Sequence, residues 1–286
     1  MSSEPSAWLE GRGCQLDLSR PRIMGVLNVT PDSFSDGGRY YGVEQALRQA
    51  LQLVDEGADL IDIGGESSRP GATRVSTDEE LDRVIPVIER LRGVTDLPLS
   101  VDTTKSTVAR TAVLAGANYI NDISGLHFDS AMAAVAAETG AGVFLMHTRG
   151  TPQEMHKNTY YDDLLAEVGD YLQSSIDLAL DAGVSPRAVA IDPGIGFGKS
   201  AEGSLQLMKH LAEFHRFGYP ILLGTSRKSF IGRILDRADP RQRVAGTLAT
   251  VALGVAQGVQ LFRVHDVRAA KDAALVAWAI REGCLP

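Results

Sequence analysis

"LSVDTTKSTVARTAVLAGANYINDI", residues 99–123, carries two short apolar runs on either side of a segment with helical patterning. Leu99–Val101 and Tyr119–Ile123 are rich in branched and aromatic residues and are bounded by polar ones, so both predict strands. Thr107 to Leu114 between them predicts a helix. A strand, a helix and a second strand of this length make a crossover unit with parallel pairing. Both strands also run into polar residues, Asp102-Thr103-Thr104-Lys105 after the first and Asn121-Asp122 within the second.

The same unit recurs in both directions along the chain. Strands are predicted near Ile23–Leu27, Leu60–Ile63, Val143–Met146, Val189–Ile191, Ile221–Leu223 and Leu261–Val264, which brings the total to eight. Helices are predicted between them. Ser76-Thr77-Asp78-Glu79-Glu80 has a capping hydroxyl with Glu three residues on, ahead of the stripe Leu81, Val84, Ile85, Ile88 and Leu91. Asp129 to Glu138 fills a later gap. Strands apolar on both faces, alternating with helices about eight times, predict an α/β fold of the closed (β/α)₈ barrel type; an open doubly wound sheet is the alternative. Residues 22–286 form the barrel as a single domain. Residues 1–21 are an N-terminal extension, for which a short hairpin over the barrel floor is one form. Arg237 to Arg243 reads as a charged surface loop and not as a boundary.

Composition narrows the function. The chain of 286 residues begins Met1-Ser2-Ser3-Glu4-Pro5, without the basic segment and apolar stretch of a secretory signal, and has no apolar run of about 18 residues. Only Cys14 and Cys284 are present, which makes no disulfide framework. These features point to the cytoplasm and to no membrane. A net charge of −8 argues against a nucleic-acid-binding face, which needs basic patches to neutralise phosphates. A small anionic substrate is still compatible, because a few local cations suffice for one.

The polar residues at the strand ends carry the chemistry. Asn28-Val29-Thr30-Pro31-Asp32 ends the first strand and Gly64 to Pro70 the second; His147 ends the fifth, Asp192-Pro193-Gly194 the sixth, Ser226-Arg227-Lys228 the seventh, and Arg263 with His265 the eighth. In a (β/α)₈ barrel these points share the C-terminal face, where active sites are built from several strand ends. A lone Asp or Asn there is more often a cap or turn residue. Coincidence at nearly every strand reads instead as a prepared polar site. One of these stretches, "DPGIGFGKS" at 192–200, resembles a phosphate-binding P-loop, but counting back from Gly198-Lys199-Ser200 places Pro193 where the first glycine belongs, and proline lacks the N–H such a loop uses.

Taken together, Met24 to Gly38, Gly64 to Gly71, Asp102-Thr103, Asn121-Asp122, Asp192 to Lys199, Ser226-Arg227-Lys228 and Arg263 to Asp266 resemble the dihydropteroate synthase family of pterin-binding enzymes, from about residue 22 to the end. That resemblance implies condensation of 6-hydroxymethyl-7,8-dihydropterin diphosphate with p-aminobenzoate in folate biosynthesis, and a sulfonamide target. "DPGIGFGKS" then becomes a pterin-binding turn. The carboxylate of Asp192 suits the pterin edge of N–H and amino donors. Asn121 and Asp102 are assigned to other ring atoms and Lys228 to the ring carbonyl, with Met146 and Phe197 near the ring unless they are plain core. Arg263 and His265, two residues apart on one strand face, are assigned to the diphosphate. Asn28 is implied as a ligand of Mg²⁺, with most of the metal site brought by the substrate. Phe34, Ser68, Pro70, Ser226 and Lys228 are assigned to p-aminobenzoate, and Asp36 and Arg69 to closing the site; Ser68 stands where the family often has Thr. The resemblance gives catalytic roles to Asp102, Lys228, Arg263, His265 and Asp36, in an SN1-like route where Asp102 offsets the charge of the ring.

Two other readings compete. A pterin-binding barrel passing a methyl group to a corrinoid shares Asp102, Asn121 and Asp192 but has no use for the cations at Arg263 and His265. A non-catalytic pterin-binding paralogue would keep the pocket without the reaction. His127, His147, His156, His210 and His215 lack metal-ligand spacing, so zinc is not indicated, and His210 with His215 reads as a solvated helix face. The family implies a homodimer, for which the last helix offers Leu275, Val276, Trp278 and Ile280; the same stripe also suits covering the barrel.

Overall fold

A computed structural model describes residues 7–29, 38–67 and 73–285. Its main sheet contains eight parallel strands: β3 (Arg22–Asn28), β4 (Leu60–Gly64), β5 (Leu99–Asp102), β6 (Tyr119–Asp122), β7 (Gly142–Met146), β8 (Val189–Asp192), β9 (Leu222–Leu223) and β10 (Leu261–Val264). They pair in the order β8-β7-β6-β5-β4-β3-β10-β9. A further parallel bridge between Ile191 and Ile221 joins the two ends of that order, so the sheet closes into a (β/α)₈ barrel and the open-sheet alternative falls away.

Strand alternation sorts the side chains into two cores. Ile61, Ile63, Leu99, Val101, Ile120, Val143, Leu145, Val189 and Ile191 point outward and are buried beneath the helices. Met24, Leu60, Tyr119, Phe144, Ala190, Leu222 and Leu261 point inward and fill the lower lumen. Each large apolar side chain among them contributes about 1.5–3 kcal/mol when fully buried. Ahead of the barrel, β1 (Trp8–Gly11) and β2 (Cys14–Asp17) form an antiparallel hairpin. Its Leu9 and Leu16, with Leu18 after it, join the inner cluster from below, and the Tyr119 hydroxyl donates to the Leu9 carbonyl at 3.0 Å. The apolar layer therefore lies at the start of the strands, which leaves their C-terminal ends for polar groups.

Around the barrel run α1 (Gly38–Asp55), α2 (Thr77–Arg92), α3 (Ser106–Ala115), α4 (Met132–Thr139), α5 (Leu164–Asp181), α6 (Ala201–Lys209), α7 (Ser229–Leu235), α8 (Val244–Ala256) and α9 (Val267–Glu282). Ser76 caps α2 by accepting from the Glu79 N–H at 3.2 Å, but the Glu79 side chain pairs with Arg83, so only half of the expected capping box forms. Helix α4 starts three residues later than the sequence predicts. The Asp129 carboxylate is occupied by the N–H groups of Ser106 and Ala131, at 2.8 and 3.0 Å. The charged loop at 237–243 ends in a 3₁₀ turn, and Arg243 donates to the Arg227 carbonyl at 2.9 Å, which ties it to the barrel mouth.

The apolar stripe of α9 divides between the two uses open to it. Trp278 faces inward, 9% exposed, with the Arg20 guanidinium 5.2 Å from its ring. The outward face of α8 and α9 is formed by Leu253, Val276 and Ile280, which are 59, 61 and 77% exposed. His215 is not part of a solvated face, since its Nε2 lies 2.8 Å from the Gln257 carbonyl and its Nδ1 is buried. No helix among the described residues is long and apolar enough to cross a membrane.

Candidate active site

Register places the polar strand ends side by side. Asn28 pairs with Gly64, Gly64 with Asp102, and Asp102 with Asn121, a row across four neighbouring strands. Met146 pairs with Asp192 on the next two strands, β7 and β8. Asp62, two residues before Gly64 on β4, shares the inward face of that row.

Arg263, on β10, crosses this row. Its Nε donates to Asp62 Oδ2 at 2.6 Å and its Nη2 to Asp102 Oδ2 at 2.7 Å. The Asn121 amide nitrogen donates to the same Asp62 oxygen at 2.9 Å. Asp62 is fully buried and Asp102 and Asn121 nearly so. Burial raises the Asp102 carboxyl to about 7; Arg263 pulls it down, while Asp62, Glu80 and Asp122 push it further up. A group poised this close to neutrality is a marker of a functional site.

One strand removed from β10, beyond β9, stands the turn 192–199 after β8. Asp192 Oδ1 accepts from the Gly194 N–H at 2.7 Å. Burial raises its carboxyl, against the opposing fields of Lys228, Lys199 and Arg263. Gly194, Gly196 and Gly198 all have positive φ, and a Cβ on Gly194 would stand 1.9 Å from the His147 carbonyl oxygen, so glycine is required there. Lys199 turns inward and donates to His147 Nδ1 at 2.6 Å, to Gly194 O at 2.8 Å and to His147 O at 3.2 Å. Ser200 caps α6 by accepting from the Gly203 N–H at 3.0 Å. Both the lysine and the helix N-terminus that a P-loop would aim at phosphate are thus committed within the protein.

Phe197 is half-buried, and the Lys228 ammonium lies 4.3 Å from its ring centroid while donating to the Ile195 carbonyl. Burial brings that ammonium down to about 8, with Asp192 holding it up and Arg263 pressing it lower. Ser226 Oγ accepts the His265 N–H at 3.1 Å and lies 3.0 Å from His265 Nδ1. Arg227, at φ 59°, makes a two-pronged pair with Asp266 at 2.9 and 2.6 Å and so pins the chain between Ser226 and Lys228. A cavity of about 360 Å³ opens beside Asp102 between Glu66, Glu80, Thr103, Ile123 and Phe128. Phe34, Asp36, Ser68, Arg69 and Pro70 lie outside the described residues.

The model of pterin binding enzymes matches residues 24–265, a span from β3 to just beyond β10. This chain belongs to that family. Within it the chain groups with the dihydropteroate synthases: it is 50% identical over 261 residues to the Synechocystis enzyme of that name, covering 91% of this chain and 90% of the relative. Structures agree. The Xanthomonas albilineans dihydropteroate synthase with 4-aminobenzoic acid is 49% identical, covers 96% of this chain and 98% of its own, and superposes with a TM-score of 0.90. The Yersinia pestis enzyme in a sulfonamide drug complex is 47% identical at 96% and 99% coverage, also with a TM-score of 0.90.

For a dihydropteroate synthase, the geometry adds two residues that the strand-end pattern passes over. Asp62 lies mid-strand in "LIDIG", where the eye takes a continuous apolar run; its signal is a charge on the inward face two residues before the end. Lys199 sits in the recognised turn, but its role as an internal brace shows only once His147 is seen beside it.

Proposed function

We propose that this chain condenses 6-hydroxymethyl-7,8-dihydropterin diphosphate with p-aminobenzoate to give 7,8-dihydropteroate and diphosphate. The observation that carries this reading is the half-buried Arg263 fork between the buried carboxylates of Asp62 and Asp102, in the same mouth as the carboxylate of Asp192 and the ammonium of Lys228. Asp192 accepts paired hydrogen bonds from the donor edge of the pterin, Asn121 and Asp102 meet other ring atoms, and Lys228 meets the ring carbonyl. Met146 and Phe197 flank the ring. Arg263 and His265 hold the diphosphate. Phe34, Ser68, Pro70, Ser226 and Lys228 receive p-aminobenzoate, and Asp36 and Arg69 help to close over it.

The C–O bond between the pterin methylene and the diphosphate breaks, and its electron pair leaves with the diphosphate. The neutral arylamine then forms the C–N bond and releases its proton to solvent. Once ionised, above about pH 7, the Asp102 carboxylate supplies negative charge that offsets the cationic methylene. Asn28, half-buried at the end of β3, offers one amide oxygen; among the described residues no group of three or more acidic, His or Cys side chains stands ready for a metal. That donor set fits Mg²⁺ sharing its shell with substrate and water, and such an ion, when bound, neutralises diphosphate charge. A second copy of the chain, packed on Leu253, Val276 and Ile280, completes the reading as a homodimer working in the cytoplasm.

The test is diphosphate release by purified protein with Mg²⁺ and the pterin diphosphate, with and without p-aminobenzoate, alongside chromatographic detection of dihydropteroate. Stoichiometric product is expected. Tight pterin binding with no product would leave a non-catalytic paralogue instead.

A further inference from the structure

We infer that Asp62 is a positioning residue whose single oxygen Oδ2 couples the ring contact Asn121 to the diphosphate contact Arg263. The inference rests on the proposed synthase reaction for the names of those two contacts. Its geometry does not: Oδ2 takes Arg263 Nε at 2.6 Å and Asn121 Nδ2 at 2.9 Å, while Oδ1 is buried and has no hydrogen-bond partner among the described residues.

A fully buried carboxylate is costly, and one left with an unused oxygen more so. Apolar side chains line the neighbouring stretches of β4, so packing alone would be served better by a leucine or valine. What the carboxylate adds is direction. A carboxylate only accepts, so it forces the Asn121 amide to present its NH₂ toward β4 and fixes which end of that amide remains for a ligand. At the same time it holds the edge of Arg263, and Asp102 holds Nη2, so the guanidinium plane is set by two carboxylates and neither bond uses Nη1. Ring and diphosphate are thereby registered to one atom. Loss of that atom should weaken the two halves of the pterin substrate together and leave p-aminobenzoate unaffected.

The experiment compares Asp62→Asn and Asp62→Ala with the wild type in steady-state kinetics, and measures by calorimetry the binding of a pterin lacking the diphosphate and of inorganic diphosphate. Asp62→Asn keeps the shape but replaces the charged oxygen with a weaker, neutral acceptor for the two donors. We expect about a tenfold fall in kcat/KM for the pterin diphosphate in Asp62→Asn and about 100-fold or more in Asp62→Ala, with KM for p-aminobenzoate within about twofold. Both fragments should bind more weakly in both variants. Adding Asn121→Ala to Asp62→Ala should cost little more, as expected for residues that act as a unit. Wild-type fragment affinities in Asp62→Asn, weakening of only one fragment, or additive losses would overturn the coupling. If Asp62→Ala does not fold, the Asp62→Asn fragment data decide alone. A wild type that binds both fragments yet makes no dihydropteroate would remove the functional reading while leaving the coupling test intact.

Discussion

The Lys199 ammonium and the His147 imidazole meet at 2.6 Å, nitrogen to nitrogen, between the turn after β8 and the end of β7. Burial first, and the neighbouring lysine second, drive the imidazole far below its usual range, while burial lowers Lys199 well below its own; the imidazole stays neutral and accepts. Lys199→Met strands Nδ1 and two carbonyl oxygens without their donor. A stability loss of about 2–3 kcal/mol is expected in urea unfolding, together with weaker pterin binding as the Asp192 turn loosens. A change below about 0.5 kcal/mol would show the contact to be incidental.

Activity should follow a bell-shaped pH profile in kcat/KM. Asp102, raised to about 7, loses its charge below that pH and with it the counterion proposed for the cationic methylene. Lys228, lowered to about 8, loses its charge above that pH. Asp102→Asn should abolish the acid limb and lower kcat by about 100-fold. Near-native turnover in this variant would falsify the charge-offset role.

Stability carries two opposed pH slopes. His147, normally near 6.5, is neutral when folded, so only the unfolded chain gains a proton as pH falls below 6.5, and acid removes stability. Asp102 behaves oppositely: folded, it keeps a proton from its ordinary 3.8 up to about 7, and the stability this contributes is lost as pH rises through that window. Asp122, raised by burial to about 6, acts in the same direction as Asp102. His147→Asn retains an acceptor for Lys199 but deletes the first slope. Its stability relative to wild type should therefore rise as pH falls below 6.5, as read from urea midpoints; parallel profiles would remove His147 from the account.

Lys105 holds together the base of the segment after β4, pairing with Glu66 and with Glu80. Glu80 is 1% exposed and its Oε1 has no hydrogen-bond partner among the described residues, so it depends on Lys105 for compensation. Lys105→Met should destabilise by about 3–5 kcal/mol, and the double variant Lys105→Met/Glu80→Met should recover part of that loss. Thermal unfolding of the pair of variants decides; no recovery would mean that the second carboxylate, Glu66, dominates.

The barrel and most of its mouth are legible in the chain because strand ends coincide with breaks in the apolar runs. Asp102, Asn121, Asp192 and Arg263 all mark such breaks, and register brings the first two together with Arg263. Asp62 marks no break, because Ile61 and Ile63 on either side face the helices and conceal a polar residue facing the lumen. Trp278 escapes for a related reason: helical spacing gives the stripe but not which edge of it lies under Arg20. Lys199 and His147 stand 52 residues apart, and no local pattern predicts that one will turn toward the other.

The leucines of the N-terminal hairpin stand under the lumen, at the end of the barrel remote from Asp102 and Arg263. Trp8, at the rim of that hairpin, is 48% exposed. This end is therefore the natural place for a surface tether, a fluorescent label or a fusion partner, because a load attached there leaves the mouth unobstructed for both reactants.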